Sequence, residues 1–154
     1  MKSKTWTPDE FLRRYAAGNK NFSKANLRGL DLSRGDFRNT DLSEANLSGA
    51  NLSGADLRHA NLTRANLSGA NLVGAVLIGA NLKKTFLIGT NLVDANLIGA
   101  NLEYADLRQA SLSEANLTGA NLSKANLFAT DLLGTELTGA VLIGAIMPNG
   151  KVRD

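Results

Sequence analysis

Residues 45–69 read Ala45-Asn46-Leu47-Ser48-Gly49, Ala50-Asn51-Leu52-Ser53-Gly54, Ala55-Asp56-Leu57-Arg58-His59, Ala60-Asn61-Leu62-Thr63-Arg64 and Ala65-Asn66-Leu67-Ser68-Gly69. A large apolar residue returns at every fifth position, and the series continues outward from this stretch in both directions. It begins at Phe22, runs unbroken to Leu142 and has Met147 as a last, weaker member. Of the 25 positions from Phe22 to Leu142, 23 are Leu and two are Phe, so one core position is repeated along nearly the whole chain. The residue two places earlier is usually Ala, and the one just before is usually Asn or Asp.

Neither regular element can use this period. Five steps of an ideal helix rotate a side chain by roughly 140°, and five steps of a strand put it on the opposite face. The leucines can all point inward only if the chain turns a corner in every repeat, so that short extended sides wrap a central column, which is a β-solenoid. Alternation within each side turns the preceding Ala inward as well, leaves room for the Leu, and sets the Asn or Asp between them outward.

Periodicity alone leaves the number of sides open. The pattern A-(N/D)-L-x-x, as in Ala45, Asn46, Leu47, Ser48, Gly49 and again in Ala65, Asn66, Leu67, Ser68, Gly69, resembles the pentapeptide-repeat family, and the match runs over about residues 20 to 147 without an insertion. The resemblance implies an all-β solenoid of one kind, a right-handed quadrilateral β-helix with four repeats per coil. On that geometry the chain makes about six coils, a rod about 30 Å long at an inter-strand spacing of ~4.8 Å.

Solenoid ends expose core and unpaired backbone, so they need caps. Thr7 as N-cap, Pro8 at the first helical position and Glu10 three residues past the cap predict a helix over about 8–17, with Trp6 and Phe11 spaced as a hydrophobic staple and Gly18 as the stop. Phe11, Leu12, Tyr15 and Ala16 make its apolar face, which is expected to lie on the first coil. Lys20 and Leu30, at inward places normally held by Ala, read as boundary effects. Pro148, Asn149 and Gly150 predict a tight turn that stops the coil, an ending similar to those of cyanobacterial members of the family. The expected organisation is a capping segment over 1–19, the repeat helix over 20–147 and a turn and tail over 148–154.

The 154 residues suit one domain, and an apolar content of 44% is that of a folded chain. There is no Cys, hence no disulfide framework and no thiolate site. The N-terminus leads into a charged segment and carries no readable signal peptide, so a cytoplasmic protein is expected. The longest apolar stretch, Leu72 to Ala80, is about half the ~20 residues of a membrane-spanning helix. The net charge of +3 sits at the ends, since residues 21–147 hold 10 bases and 11 acids with the signs interspersed. That is a solvated surface and no phosphate-binding stripe.

With 20 residues per coil, outward residues 20 apart stack into columns, and function has to be read from these. One column carries Lys24, Glu44, Arg64, Lys84, Tyr104 and Lys124, with Lys83 and Glu103 beside it, a charged ladder whose opposite signs can pair between coils. In the middle coils Val73 and Val93 stack on one face, Ile78 and Ile98 with Val76 on the next, and Phe86 and Ile88 on the one before. The first coils hold mostly Ser, Arg, Asn or Asp there, so this apolar belt is a candidate protein-contact patch. β-Branched residues also suit stacked strands whatever the partner.

His59 is the only histidine and has no Cys or second His with which to bind a metal. No P-loop string occurs, and the serines, inward threonines and Asn or Asp series belong to the repeat. The expectation is therefore a non-catalytic protein-interaction or scaffold module that uses no cofactor, meets another protein as monomer or weak dimer, and binds no nucleic acid. The alternative comes from family members that mimic DNA and protect gyrase from quinolones. Mimicry of that kind needs a strongly acidic rod, and this rod is nearly neutral.

Overall fold

The computed structural model describes residues 6–154. From Asn21 to Ile146 the backbone forms parallel pairings between residues 20 apart, such as Asn21 with Asp41, Asp41 with Asn61 and Asn61 with Asn81. Every such pairing lies just before a core Leu or Phe, so each coil has four sides. We number them in chain order. The first side is centred on Phe22, Leu42, Leu62, Leu82, Leu102, Leu122 and Leu142, the second on the column from Leu27 to Leu127, the third on Leu32 to Leu132 and the fourth on Phe37 to Leu137.

The repeat accounts for each of its own N–H groups, as a backbone folded without long strands must. In the unit Ala45–Gly49, Asn46 donates to Ala25 one coil below and Leu47 to Asn66 one coil above, at 2.9 and 2.7 Å. Gly49 also donates upward, to Ser48's successor in the column, Ser68, at 3.0 Å. Ser48 donates sideways to Asn46 Oδ1 at 3.1 Å, and Ala50 closes the corner on the Leu47 carbonyl at 3.0 Å. The invariant-looking Asn or Asp is thus the acceptor for the one donor the corner leaves over, which is how these side chains favour turns.

The corner has a second requirement that the spacing alone does not reveal. Its third residue is left-handed at every repeat, with φ near +65° at Gly49 and +58° at Arg64. Glycine adopts that conformation without cost and other residues do so at about 1 kcal/mol or more.

Inside the four sides Leu and Ala form one continuous column, with Leu47 through Leu77 at 0% exposure. Four inward threonines replace Ala where a coil below offers a carbonyl. Thr85, Thr90, Thr130 and Thr135 donate to Leu62, Leu67, Leu107 and Leu112 at 2.7–2.8 Å. Thr40 sits too close to the beginning of the rod to have such a neighbour, and its buried hydroxyl is unpaired among the described residues.

Helix α1, Pro8–Ala16, lies across the beginning of this column. Thr7 Oγ1 accepts from the Glu10 N–H at 3.2 Å, Pro8 opens the first turn, and Gly18 follows the end at φ +89°. Phe11 is fully buried, with its ring centroid 4.4 Å from Phe22 and 5.3 Å from Phe37. The apolar face is narrower than the sequence suggests: Leu12 is 42% exposed and Ala16 is exposed. Tyr15 shares the contact edge-on to Phe37 and donates to the Arg38 carbonyl at 3.4 Å. Trp6 stands edge-on to Phe22, and Lys20 is exposed with its ammonium 3.5 Å from the centroid of the Tyr15 ring.

At the other end Pro148, Asn149 and Gly150 make the expected turn, but the chain then doubles back. Val152 pairs antiparallel with Ile146, Gly144 donates to Arg153, Arg153 to Ala145 and Met147 to Lys151. Nothing in the five-residue pattern foretells this return strand, because it lies past the last repeat.

Candidate functional site

Residues that follow a core Leu lie against the same position one coil away, so their side chains pack along the rod. This partly buries the apolar belt. Val73, Val76, Ile78, Ile88 and Val93 are half-buried, while Phe86 is 48% and Ile98 36% exposed. Val73 and Val93 are neighbours on the third side, and Ile78 and Ile98 on the fourth, as the Gly74-to-Val93 and Gly79-to-Ile98 backbone hydrogen bonds show. Val76 on the fourth side pairs with Asp56 and Asn96, and Phe86 on the second with Asn66 and Asp106. The seven residues therefore do not form one flat patch. They wrap three consecutive sides over two coils, with Lys83 and Lys84 on the remaining one.

The structure adds Phe128 to this surface. It stands 49% exposed on the second side, two coils beyond Ile88 in the same column, with Arg108 between them. Its register, 40 residues after Ile88, was readable from the sequence.

The charged ladder occupies the first side. Lys24 and Glu44 come within 3.9 Å, and Lys83 and Glu103 within 2.6 Å. Tyr104 lies between two lysines, its ring centroid 5.8 Å from Lys84 Nζ and 5.2 Å from Lys124 Nζ, and Lys124 donates to its hydroxyl at 3.0 Å. That hydrogen bond raises the Lys124 pKa above the ordinary lysine value. All six residues, Lys24, Glu44, Arg64, Lys84, Tyr104 and Lys124, are left-handed, with φ from +56° to +59°. On the other sides glycine commonly takes this corner. The first side thus carries a row of strained side chains where glycine would be cheaper, and strain of this kind collects where side chains have work to do.

Three arginines of the other sides are already engaged. Arg38, Arg58 and Arg108 each grip the Asp two residues earlier with two guanidinium nitrogens, and the pairing holds Asp36, Asp56 and Asp106 below the ordinary carboxylate range. Bidentate pairs leave these guanidinium groups little to offer a phosphate. His59 lies over Gly79, where a Cβ would come within 2.6 Å of its Nδ1, so the imidazole covers a bare corner. Among the described residues no group of three or more His, Asp or Glu could hold a metal ion, and no helix is long and apolar enough to cross a membrane.

A family model for pentapeptide repeats matches residues 21–58, 55–92, 90–127 and 120–154. The chain belongs to the pentapeptide-repeat family. The four-sided coil is accordingly the right-handed quadrilateral β-helix of that family. Among solved structures, the pentapeptide-repeat protein alr5209 from Nostoc PCC 7120 is 36% identical over 71% of this chain and 89% of its own, with a TM-score of 0.64. HetL from Nostoc sp. strain PCC 7120, a pentapeptide-repeat protein involved in heterocyst differentiation regulation, is 30% identical over 96% of this chain and all of its own, with a TM-score of 0.42. Full-length QnrB1, a plasmid-mediated fluoroquinolone resistance protein, is 22% identical over 84% of this chain and 70% of its own, with a TM-score of 0.56, a likeness of fold. No protein of curated function matches the chain.

Proposed function

We propose that this pentapeptide-repeat chain is a rigid, non-catalytic protein-interaction module, a β-helix of about six coils with α1 as its lid, and that a partner protein contacts its middle coils. One observation carries the reading. Phe86 and Ile98 are exposed in columns that elsewhere hold Asn46, Asn66 and Asp106, or Arg38, Arg58 and Thr118. An exposed aromatic and an exposed aliphatic residue in columns of mostly polar side chains are what a contact core requires. Val73, Val76, Ile78, Ile88 and Val93 form the half-buried floor around them.

The test is capture from native lysate with the wild-type chain and with Phe86→Ser/Ile98→Ser. Both substitutions lie outside the Leu and Ala column, so the thermal unfolding midpoint is expected to move little, and the captured partner to be lost. An unchanged set of captured proteins defeats the proposal. A gyrase-binding, DNA-mimicking role has no comparable support, because the likeness to QnrB1 is one of fold and the repeat region carries 10 bases against 11 acids.

A further inference from the structure

The repeat region is nearly neutral as a sum, yet past its second coil the charges that do not pair are sorted across the rod. Among residues 61–147, Lys83 pairs with Glu103 at 2.6 Å and Arg108 with Asp106 at 2.7 Å. The remaining bases are Arg64, Lys84 and Lys124, and the remaining acids are Asp94, Glu114, Asp131 and Glu136. All three cations stand in one corner column, on the edge where the first side turns into the second. Asp94 and Glu114 stand in the column two corners on, where the third side turns into the fourth, with Asp131 and Glu136 on either side of that edge. In a four-sided coil these edges are diagonally opposite, so a sum near zero conceals one positive and one negative edge.

The basic edge is not neutralised from within. Arg64 and Lys84 are exposed and make no ion pair among the described residues, and Lys124 donates to the Tyr104 hydroxyl, which leaves its charge in place. Two exposed rings stand among these cations. Tyr104, between Lys84 and Lys124, is 43% exposed, and Phe86, two residues after Lys84, is 48% exposed. Arg64, Lys84, Tyr104 and Lys124 all hold the left-handed corner conformation, so these side chains stand where glycine would relieve the backbone.

We propose that this edge docks an acidic, extended peptide segment of the partner protein, laid along the rod with its carboxylates against Arg64, Lys84 and Lys124. The inference rests on the reading of the middle coils as a protein contact and adds the chemistry of what meets them. Coils ~4.8 Å apart put about 14 Å between Arg64 and Lys124, which about five residues of an extended chain cover at ~3.4 Å each. Alternate side chains of such a chain share a face, so two or three carboxylates reach the three cations. Phe86, beside Lys84, offers apolar residues of the same partner a contact. A nucleic acid fits less well, because its affinity grows with the number of phosphates neutralised, and here Glu44 ends the run below Arg64 while Glu103 adjoins Tyr104. The negative edge repels an acidic segment and so fixes which face of the rod it meets.

Fluorescence anisotropy on the full chain tests this with a fluorescein-labelled peptide of about eight residues in which glutamate alternates with serine, long enough to pass all three cations. The same peptide with glutamine for glutamate and an oligothymidylate of equal length serve as comparisons. The glutamate peptide is expected to bind, and to bind several-fold more weakly as sodium chloride rises from about 0.01 to about 0.1 M and the screening length falls from about 30 to about 10 Å. Arg64→Gly/Lys84→Gly should weaken it about fivefold or more. The thermal midpoint of that variant should stay or rise, because glycine relieves two left-handed corners. Arg28→Ser/Arg34→Gly takes two cations from the other edges and should leave the affinity unaltered. The proposal is overturned if the glutamate peptide does not bind, if the glutamine peptide or the oligothymidylate binds as tightly, or if both double variants weaken binding alike. Capture from lysate separates this inference from the reading beneath it. A partner lost with Phe86→Ser/Ile98→Ser and retained with Arg64→Gly/Lys84→Gly overturns the acidic segment and leaves the protein contact standing.

Discussion

The two ends of the rod are built from one repeat and have opposite characters. At the beginning, Phe22 and Phe37 replace Leu at the core position, and Phe11 of α1 fits between them with no exposure. At the far end, the core positions keep Leu132, Leu137 and Leu142, and all three are half-buried, with no comparable lid over them among the described residues. A repeat in a solenoid supplies an apolar face but not its burial, which comes from whatever stands on either side of it. Sealing an end therefore takes departures from the repeat: two larger rings, and a helix outside the pattern.

Truncating the lid and truncating the open end should accordingly have unequal effects. Phe11→Ala removes a fully buried ring from an aromatic cluster and is expected to cost about 3–5 kcal/mol. Leu137→Ala removes a side chain that is already partly in water, and its cost should stay below about 2 kcal/mol. Urea unfolding of the two variants measures both. Equal destabilisation would mean that α1 contributes no more cover to its end than solvent does to the other.

A subtler departure supports the same lid. The inward position before Phe37 is Gly35, where Ala55, Ala75, Ala95 and Ala115 hold the same place in later coils. A Cβ at Gly35 would lie 2.2 Å from the Phe37 Cζ. Gly35→Ala, a return to the repeat consensus, should therefore destabilise by about 1–3 kcal/mol through overpacking. Ala115→Gly at the other end removes a methyl from ordinary packing and offers a contrast of different cause. If Gly35→Ala proves neutral in the same unfolding experiment, the ring is free to move away and the lid is looser than its burial indicates.

The period of five identified the core of the rod, since the Leu or Phe at every fifth position from Phe22 to Leu127 is buried. Those positions follow from sterics acting within a few residues. The candidate contact residues were legible as columns, because a register of 20 converts sequence distance directly into contact. Their exposure was not legible, and Val73, Val76, Ile78, Ile88 and Val93 proved half-buried because neighbouring coils shade side chains that point outward. The left-handed corner was hidden behind a glycine that looked like filler, so the strain at Lys24, Arg64 and Lys84 had no signature of its own. The return strand 151–153 has no pattern at all. It forms because an open edge is near enough to be paired.

The inward threonines extend the comparison from the ends to the middle at a smaller scale. Thr85 donates to the Leu62 carbonyl at 2.7 Å, whereas the buried Thr40 hydroxyl has no partner because its coil is near the beginning of the rod. Thr85→Ala should cost about 1 kcal/mol or somewhat more, the lost hydrogen bond together with a small cavity. Thr40→Ala removes an unsatisfied polar atom and should be close to neutral in thermal unfolding. A cost at Thr40 equal to that at Thr85 would point to an acceptor that the fold supplies to both.

The smallest effect is electrostatic and separates the ends by the source of their carboxylate binding. Near the beginning, Arg38 hydrogen-bonds to Asp36 and pushes its pKa down from 3.8 to about 2. Near the far end, Asp131 is also lowered, chiefly by the Ser113 hydroxyl and then by the Leu133 N–H. A carboxylate with a depressed folded-state pKa contributes stability that is present above its unfolded value and lost as the pH falls through the folded one. For Asp36 that window runs from near pH 4 down to about pH 2. Both groups are largely exposed, so the stability change is expected to be slight, and side-chain carboxyl titration by NMR is the better measurement. Arg38→Ala should raise the Asp36 midpoint toward the ordinary range and leave Asp131 where it was. Salt should shift Asp36 in the same direction and Asp131 less, because a guanidinium charge is screened and a hydroxyl donor is not. An Asp36 midpoint that ignores Arg38→Ala would assign its shift to the Arg38 backbone N–H, and the two ends would then hold their carboxylates by the same means.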